Sequence, residues 1–235
     1  MKILFILFLL TVTVTCSCKK STDKTVSGTA ISYLIKTVDY YYGKNFTANY
    51  KIVYNAQNKV DSIVVFSTNR ISRRSFAYSD SGYVITNHEE PDNGIFYLTK
   101  VITDKNGQIT KTTDYVLQDS SVTLYAYNGT ELTSAQYFAA HSTPSYMTFS
   151  WTNGDVDGYR YSKDKWQQGG IPDIVRFLSL GTSLIKTDHL AIGAVLATNT
   201  KVVIAQYIYL FDKEGRISLV MLPSGKDTAY YRYTY

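Results

Sequence analysis

Asp155 and Asp157 stand two residues apart in a stretch that reads as a strand, so their carboxylates share one face, as a pair of acids working on one bond would need. A glycosidase, however, sets its acid and its base on opposite sides of that bond, and nothing in the neighbouring sequence supplies the second wall. The run His88-Glu89-Glu90-Pro91-Asp92-Asn93 offers oxygen ligands to a hard cation, but it lacks the ordered spacing of a calcium loop and reads as solvated. His141 and Asp188-His189 fall in connections far apart in the chain. No Cys or His pair has zinc spacing, and neither a nucleophile elbow nor a phosphate loop occurs. The expectation is no catalytic residue, no metal and no cofactor, with an envelope hydrolase as the most distant alternative.

Aromatic residues are the other chemical resource. The chain holds 22 Tyr, densest at Tyr40-Tyr41-Tyr42 and from Tyr230 to Tyr235, far more than function at one site could use. Tyr suits a sheet surface that is apolar in body and wet at the tip, so most of these rings are expected to pack. A smaller set could stack on sugar rings, with Trp151 and Trp166 as the best anchors for a glycan. Net charge is +5 without a long basic run or a basic aromatic stripe, so no nucleic-acid partner is expected.

These residues are positioned by a turn signature: an aromatic or polar residue, then Asp, Asn or Ser, one or two linkers, Gly, and a β-former. It occurs at Tyr54–Val60, Tyr78–Val84, Thr103–Ile109, Tyr127–Leu132, Trp151–Val156 and Phe211–Ile217. Asp or Asn can hydrogen-bond the backbone ahead of it, and Gly or Asn58 tolerates the left-handed conformation that closes a type I turn with a bulge. Asn58, Gly82, Gly107, Gly129 and Gly154 follow one another at 22 to 25 residues, room for two strands and two connections. The fold class expected is all-β: an antiparallel up-and-down meander of about thirteen strands. Twist accumulating over so wide a sheet curls it into a barrel or half-barrel.

Alternation supports the strands. From Phe46 to Tyr54, one face carries Phe46, Ala48, Tyr50, Ile52 and Tyr54, and the other Thr47, Asn49, Lys51 and Val53; Val60, Ser62, Val64 and Phe66 read as the next buried face. Further strands are expected near 73–78, 83–88, 95–103, 108–117, 121–127, 131–139, 146–151, 156–162, 201–211, 216–222 and 228–235. An insertion at about 163–200 interrupts the repeat. Within it, Pro172, Asp173, the apolar set Ile174, Phe177 and Leu178, and Gly181 spell a short helix. The strand at 201–211 is apolar on both faces, so the insertion is expected to cover it as part of the core, through Ile174, Phe177, Leu178, Leu190, Ile192 and Leu196.

The N-terminus sets the compartment. Lys2 precedes an apolar run from Ile3 to Val14, too short for a membrane span and suited to a signal-peptide core. Ser17 before Cys18 resembles the lipobox of bacterial lipoproteins, which implies that Cys18 is lipidated and begins the mature chain. Cys16 is the only other cysteine, so no disulfide can brace a mature domain. The layout expected is a signal peptide at 1–17, a lipidated tether at 18–28, and one β-meander domain at 29–235.

The Tyr/Phe-Asp-x-x-Gly-x-Ile pattern, best kept from Phe211 to Ile217, is similar to the tyrosine-aspartate repeats of secreted bacterial shells. The lipobox, the repeated hairpins, the insertion near residue 180 and the last aromatic strand together resemble a Bacteroidota family of lipoproteins of unknown function with a porin-like fold. That resemblance implies a lipid-anchored protein of the outer membrane or cell envelope and carries over no catalytic residue. Its expected role is non-enzymatic binding or scaffolding, with membrane contact through the anchor and a glycan or envelope protein as partner. One alternative is a glycan-binding surface lipoprotein. Another is an integral outer-membrane β-barrel, as the alternation Tyr231, Tyr233, Tyr235 in the last strand allows.

Overall fold

The computed structural model describes residues 34–90, 94–116, 119–171, 173–197, 202–224 and 227–235. Cys18, the signal segment and the tether lie outside the described residues. The chain runs through β1 (Thr37–Tyr42), β2 (Asn45–Tyr54), β3 (Val60–Ser67), β4 (Arg70–Ser79), β5 (Gly82–Glu90), β6 (Gly94–Thr103), β7 (Ile109–Val116), β8 (Asp119–Asn128), β9 (Glu131–Ala139) and β10 (Ser145–Thr148). A departure follows: β11 (Trp151–Thr152), β12 (Asp155–Val156), β13 (Tyr159–Lys165), the helix α1 (Ile174–Leu180), β14 (His189–Ala197) and β15 (Val202–Gln206). The meander then resumes with β16 (Ile208–Phe211), β17 (Ile217–Ser224) and β18 (Asp227–Thr234).

Thirteen strands form one antiparallel sheet in the order β10-β9-β8-β7-β6-β5-β4-β3-β2-β1-β18-β17-β16. The first strand pairs with the last, Tyr40 opposite Tyr231, so the chain's two ends are neighbours in the sheet. The sheet nevertheless does not close, because β10 and β16 remain its two edges. It is the half-barrel form of the expected meander.

Three of the expected turns share one construction. Asn55, Asp104 and Asp212 each aim Oδ1 at two backbone N–H groups, those of residues two and four positions on, at 2.8 to 3.0 Å. In each, the N–H of the first residue donates to the carbonyl of the fifth at 2.9 Å, and that of the fourth donates back to the first at 3.0 Å. The fourth residue is Asn58, Gly107 or Gly215, with φ of 58°, 79° and 76°. Each turn carries a register shift in the strands beside it, between Val53 and Tyr54, Ile102 and Thr103, and Leu210 and Phe211. Two other copies are tighter, with Ser79 paired to Gly82 and Asn128 to Glu131.

The bulges invert parity. In β2 the alternation is as expected from Ala48 onward, with Ala48 and Ile52 buried and Lys51 and Val53 exposed, but a bulge at Thr47 turns Phe46 to the other face, where it is 42% exposed. In β3, the bulge puts Ile63 opposite Ile52 and leaves Asp61 as the extra residue, so the inward set is Val60, Ile63 and Val65; Ser62, Val64 and Phe66 lie on the other face, where Ser62 and Val64 are still buried and Phe66 is exposed. That corrects the face assigned from the sequence, since one inserted residue moves every later side chain to the other side.

The remaining corrections concern the strand inventory. Tyr40-Tyr41-Tyr42 belongs to a strand that alternation did not identify. The segment at 156–162 leaves the meander, and the departure begins at Trp151 rather than near 163. The expected strand at 201–211 breaks at Tyr207: β15 joins β13 and β14 in a three-stranded sheet, and β16 joins the main one. Nor is this strand covered on both faces, for Ile208 and Leu210 are 38% and 50% exposed.

The helix lies against the inner face of the half-barrel. Ile174, Phe177, Leu178 and Leu180 are buried in one cluster with Ile63, Phe76, Tyr83, Ile85, Val220 and Tyr233, residues drawn from both ends of the meander. Its last carbonyls are met from the sheet: Arg74 Nη1 donates to Leu178 and Tyr83 Oη to Leu180, and Gly181 closes the helix at φ 71°. Asp173, at the helix start, is 2% exposed, and its Oδ1 accepts from the N–H groups of Leu184 and Ile185. Burial raises the pKa of this carboxyl, against the lowering pull of the Ser183 hydroxyl and of those N–H groups.

Candidate functional site

Hairpins β2–β3, β4–β5, β6–β7 and β16–β17 bring their turns to one end of the sheet, and there they face the insertion across an open cleft of about 910 Å³. The sheet side supplies Tyr54, Tyr78, Tyr83 and Tyr235, with Lys59, Asp80, Asp104 and Lys105 on the turns. The insertion side supplies Trp166, Gln167, Gln168, Thr182, Ser183 and Lys186.

The tyrosines hold fixed poses. Tyr54 Oη donates to the carbonyl of Ile35 (2.9 Å), Tyr78 Oη to that of Val60 (2.9 Å), Tyr83 Oη to that of Leu180 (2.7 Å) and Tyr235 Oη to that of Ile217 (2.8 Å). Tyr54, Tyr78 and Tyr235 thus reach a carbonyl 18 or 19 residues earlier in the chain, as Tyr209 does to Ala191 (2.7 Å) and Trp151 Nε1 to Leu132 (2.8 Å). In the copies that begin at Tyr54, Tyr78 and Trp151, the aromatic residue of the turn is therefore a cross-strand tie. Desolvation pushes the Tyr78 phenol up to about 12, with the Asp61 charge adding to it, and burial drives those of Tyr54, Tyr83 and Tyr235 higher still. These hydroxyls stay protonated at neutral pH and cannot serve as bases there.

Two lysines rest on rings of the lining. Lys59 Nζ lies 5.0 Å from the Tyr78 centroid and Lys186 Nζ 5.7 Å from that of Trp166. Among the described residues, neither these lysines nor Lys105 has a carboxylate within ion-pair distance.

The residues singled out by sequence divide sharply. Trp166 lines the cleft, whereas Trp151 does not, its indole being engaged as a tie to β9. Asp155 and Asp157 do not share a strand face, because β12 ends at Val156. Asp155 instead grips His189, with Oδ2 at 2.8 Å from Nδ1 and Oδ1 accepting the backbone N–H at 2.9 Å, while Asp157 accepts from the Thr152 hydroxyl. The pair ties the β11–β12 hairpin to the start of β14. His88, Glu89 and Glu90 end strand β5, where Glu89 meets Arg70 at 3.2 Å; residues 91–93 lie outside the described residues. No group of three or more His, Cys, Asp or Glu among the described residues could hold a metal ion.

Sequence reasoning missed the lysines and the Gln and hydroxyl residues of the insertion side. Lys59 and Lys105 carry a signal only in retrospect: each sits within a turn copy, and turns at every second connection of a meander meet at one end.

The sheet and cleft define an open β-meander wrapped on a helical plug, with a polar-rimmed aromatic hollow at the turn end. No family model matches the chain, and no curated protein matches it. Among solved structures it is similar to a porin-like protein from Bacteroides uniformis, with a TM-score of 0.61 and 12% identity over 85% of this chain and 96% of that one. The likeness is one of fold.

Proposed function

We propose that the protein is a non-enzymatic binding protein of the bacterial cell envelope, lipid-anchored at Cys18, whose rim cleft takes a glycan-type ligand. The observation that carries this reading is the cleft itself: about 910 Å³, open, with rings whose hydroxyls are already tied down. That volume is in the range of small-molecule sites, and rings locked before binding lose little entropy on binding. The fold likeness to a porin-like protein and the signal-like N-terminus support the envelope placement. The outer face supports a domain in water, not one embedded in lipid. It carries Lys51, Arg73, Lys100 and Lys111 within strands, and a basic residue at the lipid face costs about 2–4 kcal/mol at mid-depth.

Screening the purified protein against a glycan array, followed by calorimetry on the hits, tests the cleft. Trp166→Ala should remove binding, while Trp151→Ala should lower the melting temperature and leave affinity in place. Binding that survives Trp166→Ala undiminished would move the site elsewhere.

A further inference from the structure

We infer that the ligand of the rim cleft is an anionic saccharide, a sugar chain bearing carboxylate or sulfate groups; this rests on the cleft being a binding site. The charged groups of the lining, its strongest hydrogen-bonding partners, are unbalanced toward donors. A neutral sugar presents hydroxyls that both donate and accept, so its site needs acceptors as well as donors. Carboxylates are the strong acceptors, and the lining holds two, Asp80 and Asp104; Oδ1 of Asp104 is taken by the N–H groups of Asn106 and Gln108, and its Oδ2 lies 3.5 Å from the Asn106 side-chain amide. Against these two stand the ammoniums of Lys59, Lys105 and Lys186, each a donor without acceptor capacity and none within ion-pair distance of a carboxylate among the described residues.

Placement strengthens the imbalance. Lys59 and Lys105 come from two separate turns of the sheet, and Lys186 comes from the insertion, so positive charge faces the hollow from both walls. Lys59 and Lys186 lie over the rings of Tyr78 and Trp166, which holds each ammonium beside an apolar surface before any ligand arrives. A repeating acidic sugar matches both parts, its ring carbons meeting the aromatics and its anionic groups meeting the lysines. A cavity of about 910 Å³ is also far larger than a free sulfate or phosphate needs.

Calorimetry on the full-length protein in detergent, with tetragalacturonate, a chondroitin sulfate tetrasaccharide and cellotetraose as probes, tests this. An acidic probe should bind at least about tenfold more tightly than cellotetraose in about 50 mM salt, and the preference should shrink in about 500 mM salt. Which acidic probe binds separates carboxylate from sulfate. Lys59→Gln and Lys186→Gln should each weaken that binding about five- to tenfold, with unchanged circular dichroism, and Lys100→Gln on the outer face should leave it as it was. Equal affinity for cellotetraose and the acidic probes overturns the anionic assignment and leaves the cleft as a sugar site. An equal loss in Lys100→Gln also overturns it, as attraction to the whole surface. If none of the three probes binds, the assignment and the glycan reading of the cleft fall together.

Discussion

At the scale of single residues, two glycines near the rim do different jobs. Gly107 stands at φ 79° with open space where a Cβ would project, nothing lying within 4 Å, so a side chain there meets only backbone strain. Gly82 is hemmed in as well: a Cβ would come 2.0 Å from the carbonyl oxygen of Val101 on the adjacent strand. Gly107→Val should cost about 1–2 kcal/mol by chemical denaturation. Gly82→Ala, though the smaller change, should cost more, because the neighbouring strand must move. Asp173 is a residue-scale problem of another kind. Its folded-state pKa is raised by burial, so the stability it contributes is fully present below the unfolded value of about 3.9 and is lost as pH rises through the folded value. Urea titrations of wild type and Asp173→Asn across that window should show the difference moving in favour of the variant as pH rises. A difference that stays constant with pH would mean that Asp173 is not protonated more readily in the fold.

At the scale of elements, α1 exists because of its surroundings. Seven residues are too few for a helix to persist in water, and neither an acidic first turn nor a basic last turn supports it. What holds it is the burial of Ile174, Phe177, Leu178 and Leu180, together with the Arg74 and Tyr83 hydrogen bonds to its last carbonyls. Phe177 is 1% exposed and contributes to the cluster that joins the insertion to the sheet. Phe177→Ala should therefore destabilise by about 3–5 kcal/mol in equilibrium unfolding. In hydrogen exchange, the amides of α1 should be protected together with those of β4 and β5. Rapid exchange of α1 over a protected sheet would make it a lid on the cleft and not a plug.

At the scale of the whole molecule, the half-barrel and its filling depend on each other. A sheet of thirteen strands with free edges at β10 and β16 would expose its inner face, and the insertion, leaving the meander after β10 and returning at β16, covers it. Pairing of β1 with β18 brings together residues 197 apart in the chain, such as Thr37 and Thr234, whose hydroxyls lie 2.7 Å apart. Contacts of such separation form late and slow folding. The charged outer face and filled interior lead to a further expectation: Cys18→Ala should give protein that fractionates as soluble without detergent. A variant that stays in the membrane fraction and is extracted only by detergent would favour an embedded barrel.

Much of this was legible from local signals. The turn chemistry of Asn55, Asp104 and Asp212 is encoded within five residues, so these hairpins and the meander followed from sequence, as did the short helix with its Gly181 stop. Alternation was readable where no bulge intervened, as from Ala48 to Val53 in β2. What local pattern could not decide was anything set by contacts distant in the chain. The parity of β3 after its bulge, the pairing of β1 with β18 and the division of the 201–211 strand between two sheets depend on which partner each segment finds. The same holds for the cleft. Trp151 and Trp166 look alike in sequence, and only folding gives the first a carbonyl to tie and the second a hollow to line, because a site assembled from several turns and an insertion has no contiguous signature.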